Sequence, residues 1–106
     1  GQDKGRIAET LVFNTLRKFA GITEISYYRT PDGKKEIDFI VRIGRSLVPV
    51  EVKNRLDVQD QSIQSMHDFL KEYSSENAFG IIVTKNNLDL KGDVLQIPIG
   101  LFLLLC

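Results

Sequence analysis

The stretch that determines the fold is residues 36–53, EIDFIVRIGRSLVPVEVK. Its two apolar runs alternate with a period of two and are separated by Gly44-Arg45, a pattern that predicts a β-hairpin. A two-residue loop with Gly in its first central position suits a type II′ turn. Counting outward from that turn gives the facing pairs of one apolar face, which are Ile43–Ser46, Val41–Val48, Phe39–Val50 and Ile37–Val52.

The same register places two acidic residues, Asp38 and Glu51, opposite each other on the second face. Two carboxylates at ~4 Å repel by roughly 4 kcal/mol at an effective dielectric of about 20, and like charges in facing positions destabilise a sheet. A bound divalent cation removes this repulsion, because carboxylate oxygens are the ligands that Mg²⁺ and Mn²⁺ prefer. Lys53 follows Glu51 by two positions and therefore shares its face, within reach of whatever the ion holds.

Two other interpretations of the hairpin remain open at this point. Acidic residues are common on a solvated strand face, and Glu36 could form an ordinary cross-strand ion pair with Lys53. A three-residue loop would instead place Asp38 opposite Val52, unless a bulge restored the phase.

The length of 106 residues predicts one domain, residues 1–106, and the formal net charge of zero gives no overall nucleic-acid signature. The charge is uneven, however, with 11 Lys and Arg against 7 Asp and Glu in residues 1–55 and 3 against 7 in residues 56–106. The half that contains the hairpin is basic, which favours a polyanionic substrate. The single cysteine, Cys106, excludes an internal disulfide and a cysteine-rich zinc site.

The sequence shows no signal peptide, and its apolar tail, residues 97–106, is too short to span a membrane. We therefore expect an intracellular, cytoplasmic location with no membrane partner. The sequence lacks an initiator Met and ends on an apolar residue, so we expect the C-terminal part of a longer protein.

Residues 3–19 predict an amphipathic helix with one apolar arc, consisting of Ile7, Ala8, Leu11, Val12, Leu16 and Phe19. Glu9 falls within that arc, where a carboxylate is unfavourable unless it is paired. It could serve the dipole at the start of the helix, or it could point toward the acidic hairpin as a third carboxylate.

The rest of the chain predicts a strand at 23–29, a turn at 30–33, a helix at 58–73, a buried strand at 79–84 that is parallel to a neighbour, a loop at 86–92, a strand at 94–98 and a helical turn at 100–105. Lys34 and Lys35 follow the turn and could face a phosphate or solvent. Gln61 and Gln64 could approach the hairpin, although a place on the helix surface is the simpler assignment, as it is for His67. The predicted order is α-β-β-β-α-β, followed by β-α.

Several chemistries find no support in this sequence. It contains no glycine-rich phosphate loop and no Gly-x-Ser-x-Gly elbow, and Cys106 with His67 makes no credible nucleophilic pair. The remaining cluster of Glu9, Asp38, Glu51 and Lys53 suits metal-assisted phosphodiester hydrolysis. Asp38 and Glu51, with the Val52 carbonyl, would hold Mg²⁺ or Mn²⁺. Glu9 would complete the coordination shell or hold a metal-bound water, and Lys53 would orient the attacking water or stabilise developing negative charge.

These positions resemble the PD-(D/E)XK nuclease superfamily, which includes archaeal Holliday-junction resolvases and many restriction endonucleases. The resemblance consists of Glu9 on the first helix, within KGRxxE at 4–9, Asp38 on the second strand, and EVK at 51–53 on the third. A closer resemblance is to the nuclease-like C-terminal domain of prokaryotic AAA-type ATP-binding proteins, through GKKEIDF at 33–39, PVEVK at 49–53 and IPIGLFL at 97–103. The superfamily often has Pro before the strand-two Asp, where this chain has Ile37.

The resemblance implies an α/β fold of the restriction-endonuclease type, with a mixed central sheet flanked by helices, a final strand and a short C-terminal helix. It also implies metal-dependent cleavage of DNA and an AAA-type ATPase domain in the same full-length chain. The similarity to resolvases further implies a homodimer of the kind that they form. The alternative is a non-catalytic module that binds nucleic acid or a partner protein and regulates the attached ATPase.

Overall fold

The computed structural model describes residues 2–53, 60–73 and 78–105. Within these ranges the chain forms three helices and six strands. Their bounds are α1 Gln2–Lys18, β1 Ile22–Arg29, β2 Glu36–Ile43, β3 Ser46–Lys53, α2 Asp60–Tyr73, β4 Gly80–Thr84, β5 Asp89–Lys91, β6 Val94–Pro98 and α3 Ile99–Leu105. The predicted α/β class is confirmed, and the predicted order of elements holds except for one additional strand, β5.

The strands form one mixed sheet in the order β1-β2-β3-β4-β6-β5. β1, β2 and β3 pair antiparallel, whereas β4 is parallel to both β3 and β6, as its nearly continuous apolar sequence predicts. The chain returns to the sheet through α2 between β3 and β4, because parallel neighbours need a crossover connection. β3 therefore lies inside the sheet and carries Glu51 and Lys53.

The helices cover both faces of the sheet. The larger core lies between the sheet and the helices α1 and α3, with Val12 and Leu16 of α1 and Phe102 of α3 buried against β3 residues such as Val50. The second core lies under α2, where Ile63, Met66 and Leu70 pack against Ile82 and Val94. None of the described helices combines the length and apolar character that a membrane crossing requires.

The α1 arc is only partly buried. Ala8, Val12 and Leu16 are in the core, but Ile7, Leu11 and Phe19, which the helical pattern also assigned to the apolar face, are exposed. The buried stripe of α1 is therefore narrower than predicted, and it packs against β3, β1 and α3.

The predicted hairpin register is confirmed from the turn as far as Phe39–Val50, with Ile43 facing Ser46 and Val41 facing Val48. Gly44 has a φ of +61°, the left-handed region that glycine adopts without strain. Beyond Phe39 the hairpin departs from the simple alternation.

A β-bulge in β2 causes this departure. Ser26 of β1 pairs with Ile40, but Tyr28 pairs with Ile37, so β2 has one more residue than β1 in this interval. As a result, Ile37 and Ile40 pack together against Phe69 of α2. The prediction that Ile37 shares a face with Val41 is wrong, because the bulge reverses the alternation between them.

On the edge strand β1, Tyr27 is 77% exposed, whereas Tyr28 packs against the cluster of Ile37, Ile40 and Phe69. A further difference from the predicted elements lies at the opposite edge of the sheet. The predicted loop at 86–92 contains the short strand β5, Asp89–Lys91, so two strands rather than one follow β4. All three residues of β5 are exposed, and they pair with β6 through the backbone alone.

Candidate active site

The candidate site lies where the bulged end of β2 meets the end of β3. The backbone N–H of Asp38 donates a hydrogen bond of 3.1 Å to Oε1 of Glu51, and the backbone N–H of Val52 donates one of 2.8 Å to Oδ2 of Asp38. Past Phe39–Val50, therefore, the two strands are joined by carboxylates that accept backbone N–H groups. The hairpin brings Asp38 and Glu51 into contact, in the place that the sequence predicts.

Glu51 is buried, with 7% of its surface exposed. The pKa of the Glu51 carboxyl group is raised to about 9, mainly by burial and then by the hydrogen bonding and negative charge of the Asp38 side chain. The ammonium of Lys53 and the backbone N–H of Asp38 lower this pKa by less. At neutral pH and without a cation, the Glu51 carboxyl group therefore holds a proton. A divalent cation at this position would favour the ionised form of Glu51.

Lys53 lies beside this pair, with its Nζ atom 3.9 Å from Oε2 of Glu51. The Lys53 side chain is 32% exposed, so its ammonium group lies between the buried carboxyl and solvent. At this distance the two groups form no hydrogen bond. The ammonium group is consequently available to a third, negatively charged group.

Glu9 lies on α1 and is exposed. Partial desolvation raises the pKa of Glu9, the charge of Asp38 also raises it, and the charges of Lys53 and Arg6 lower it. Glu9 is thus close enough to interact electrostatically with Asp38 and Lys53. No hydrogen bond or ion pair joins it to either residue in the described part of the chain.

An open cavity of about 270 Å³ lies in front of the acidic pair. Its lining is polar and comes from the β1–β2 turn, from β2 and β3, and from α2, the residues being Gly33, Lys34, Glu36, Asp38, Glu51, Lys53, Ser62 and Ser65. Glu36 also bonds Arg29 at 2.7 Å, so the predicted pairing of Glu36 with Lys53 is not the one that forms. Asp38, Glu51 and Lys53 all line the cavity, and Glu9 does not.

The two lysines after the turn have different environments. Lys35 forms a 2.8 Å ion pair with Asp68 of α2, whereas Lys34 lines the cavity. Lys35 therefore takes neither of the two roles considered for it, and a phosphate-facing role for Lys34 stays a prediction. Gln64 donates a 3.0 Å hydrogen bond to Asp68 and does not line the cavity, and the side chain of Gln61 lies outside the described residues.

Ser62 and Ser65 are the cavity residues that the sequence interpretation missed. They are three positions apart, so they share one face of α2. The sequence contains a signal for them. Ile63 and Met66 lie on the buried face of α2, and the residue before each of them is a serine, so both serines lie beside that face.

The carboxylates of Asp38 and Glu51 meet the requirements of a divalent cation. Mg²⁺ is commonly held by one or two carboxylates, with substrate and water oxygens as the other ligands. The Asp38–Glu51 contact provides two such carboxylates at an open cavity, so these residues fit the ion. Among the residues that the structure describes, no three His, Cys, Asp or Glu side chains are close enough together to hold a metal ion. The assignment of Glu9 as a further ligand stays a prediction.

Comparison with known protein families gives one match that covers most of the chain. Residues 4–102 match the family described as Domain of unknown function (DUF4143). The chain belongs to this family. DUF4143 domains are often found with AAA-type ATPases, which agrees with the resemblance to the C-terminal domains of such proteins.

The curated proteins give no match to this DUF4143 domain. The family description names no activity, and nuclease chemistry in the domain is therefore a proposal that the site itself must support.

Proposed function

We propose that this DUF4143 domain hydrolyses phosphodiester bonds of DNA with the help of Mg²⁺ or Mn²⁺. The observation that carries the proposal is the contact between Asp38 and Glu51 at an open cavity beside the ammonium group of Lys53. Two carboxyl groups in contact in a largely buried place are unfavourable for stability alone, and a cation with a phosphate in the cavity would compensate them.

In this proposal Asp38 and Glu51, with the backbone carbonyl of Val52, would hold the ion, which when bound polarises the phosphate and makes the attacking water more acidic. Lys53 stabilises the negative charge that develops on the phosphate oxygens, because among the residues that the structure describes its ammonium group has no closer partner than Glu51 at 3.9 Å. The water oxygen releases a proton to solvent and forms a bond to phosphorus, the ester P–O bond breaks, and the leaving oxygen takes up a proton from solvent.

The test is cleavage of branched, single-stranded and duplex DNA in the presence of Mn²⁺. We expect Asp38→Asn and Lys53→Met each to lower the cleavage rate at least about a hundredfold, in the range of losses seen when a charge-stabilising group is removed from an active site. Asp89→Asn is the matched control, because Asp89 is an exposed acid on β5, at the far edge of the sheet from β2.

Cleavage by the unaltered domain that persists at the same rate in both site variants would contradict the proposal. Asparagine at position 38 keeps an oxygen that can accept the N–H of Val52, so this variant removes the charge and retains the hydrogen bond.

A second candidate function is a non-catalytic nuclease-like module that binds nucleic acid or a partner protein and regulates an AAA-type ATPase domain in the same full-length chain. It is favoured by the position of Glu9, because only two of the three carboxylates predicted as metal ligands, Asp38 and Glu51, line the cavity. Under this alternative, titration with Mn²⁺ gives no saturable binding. We also propose that the domain assembles as a homodimer and that it is cytoplasmic.

A further inference from the structure

The cavity holds a second group of polar residues besides the acidic pair and Lys53. Lys34 extends from the β1–β2 turn, and Ser62 and Ser65 come from α2. None of these residues has a role in the hydrolysis proposed above. They provide a cationic group and two hydroxyl groups at the same opening, and phosphate oxygens are suitable partners for both kinds of group.

The turn that carries Lys34 is held in place on both sides. The backbone N–H of Lys34 donates a 2.9 Å hydrogen bond to Oδ1 of Asp32, and Thr30 accepts a 3.1 Å hydrogen bond from the N–H of Lys35 at its hydroxyl. The ion pair of Lys35 with Asp68 then joins the turn to α2. The backbone at position 34 is therefore ordered before any ligand arrives.

Lys34 itself is exposed, and its ammonium group forms no ion pair with any residue in the ranges that the structure describes. Its neighbour Lys35 is already neutralised by Asp68. When a free cation on an ordered turn binds an anion, only its side chain has to be fixed, so the backbone contributes no further entropy cost.

We propose that Lys34, with Ser62 and Ser65, binds the phosphate next to the reacting one, on a polynucleotide strand that lies between the β1–β2 turn and α2. This inference rests on the proposed function, because the reacting phosphate is defined by Asp38, Glu51 and Lys53. The two lysines that line the cavity come from different elements, the turn and β3, which suits two successive phosphates better than one.

The test measures binding and not cleavage. A fluorescently labelled single strand is titrated with the Asp38→Asn variant, in which the strand stays intact, and with the Asp38→Asn/Lys34→Ala variant, at several salt concentrations. Loss of one phosphate contact reduces the slope of log K against log salt by about 1 and weakens binding to all sequences alike. Lys91→Ala in the same background is the control, since Lys91 is an exposed lysine on β5, and we expect it to leave the slope unchanged.

A second set of strands carries a neutral methylphosphonate at one position at a time. We expect one position, adjacent to the bond that the unaltered domain cleaves, at which the substitution weakens binding by the Lys34-containing protein and has no further effect in the Lys34→Ala protein. Such non-additivity identifies the partner of Lys34.

The two proposals fail in different ways. If the unaltered domain cleaves no DNA while the salt slope still depends on Lys34, the proposed function is wrong and the phosphate-binding group stands as a nucleic-acid contact. A Lys34→Ala protein whose slope and methylphosphonate profile equal those of the Lys34-containing protein would overturn the inference, whatever the outcome of the cleavage test.

Discussion

Glu51 is the most buried acid at the cavity, and its carboxyl group has an abnormal affinity for protons. Burial, with the adjacent Asp38 carboxylate, raises its pKa to about 9 in the folded state, from 4.5 for an ordinary glutamate. Between these two values the folded protein retains a proton that the unfolded chain has released. The folded state is therefore favoured at low pH, and stability declines as the pH rises through this range.

We expect the free energy of unfolding of the unaltered domain, without added metal, to fall between about pH 5 and pH 9, by at most about 1.4 kcal/mol per pH unit. Glu51→Gln removes the titrating group and should flatten this dependence. Urea denaturation at a series of pH values provides the measurement. A variant Glu24→Gln, at an exposed position on β1, is the control and should keep the slope of the unaltered protein.

Equal pH dependence in Glu51→Gln and in the unaltered protein would show that Glu51 ionises normally in the folded state. Glu9 contributes in the same direction, because its pKa is also raised, so a small residual slope in Glu51→Gln is expected.

At the level of single residues, the sequence predicted Asp38, Glu51 and Lys53 at one place because strand alternation and a two-residue turn fix their positions. It predicted neither the exposure of Glu9 nor the separate environments of Lys34 and Lys35. Those depend on how α1 and α2 are seated on the sheet, and the partner of Lys35, Asp68, is 33 positions away in the sequence. Periodicity along one element carries no information about such contacts.

β4 and α2 approach each other closely at Gly80, and one mutation at this position can test how the two elements pack. A Cβ atom at this position would lie 2.4 Å from Sδ and 2.6 Å from Cγ of Met66, and 3.2 Å from Cγ of Pro49. Met66 is buried, with 1% of its surface exposed, so it has little room to move. The small residue is therefore required by the packing of α2 on the sheet.

Gly80→Ala should reduce the free energy of unfolding by about 1–3 kcal/mol, the usual effect of overfilling a packed core. Gly100→Ala is the matched control, because no atom lies within 4 Å of a Cβ at that position in α3, and alanine favours helix formation. We expect the control to be neutral or slightly stabilising. If thermal or urea denaturation gave equal stabilities for both variants, α2 would not be packed on β4 as described.

The elements themselves were largely predictable, and the exceptions have specific causes. The hairpin follows from eighteen residues with clear alternation, whereas the bulge between Ile40 and Ile37 depends on pairing with β1 and leaves no trace in β2 alone. β5 has three exposed residues, Asp89–Lys91, and is a strand because β6 offers it a free backbone edge. A tertiary edge of this kind is not visible in local sequence.

For the whole molecule, the sheet separates two hydrophobic cores, and the candidate site lies at the end of the internal strand β3. A ligand that binds the folded protein and not the unfolded chain stabilises the entire domain, by about 2.7 kcal/mol at a concentration a hundred times its Kd. Ion binding at the acidic pair should thus be detectable in global unfolding.

We expect saturating Mn²⁺ at pH 8 to raise the melting temperature of the unaltered domain by roughly 10 °C, since 1 kcal/mol corresponds to several degrees in a domain of this size. The Asp38→Asn/Glu51→Gln double variant should show no such increase, and Asp89→Asn should retain it. An increase of the same size in the double variant would place the ion elsewhere on the molecule.

The hydrogen bonds at the end of the hairpin give Asp38 and Glu51 a structural role that is separate from any catalytic role. Each accepts a main-chain N–H where ordinary strand pairing stops, so the fold itself favours an oxygen-bearing side chain at positions 38 and 51. Under the proposed function, a relative without catalysis would therefore still be under selection to keep these oxygens. Within the described part of the chain, Lys53 satisfies no main-chain group in this way, so the proposal makes the lysine the better marker for an active site in a member of the family.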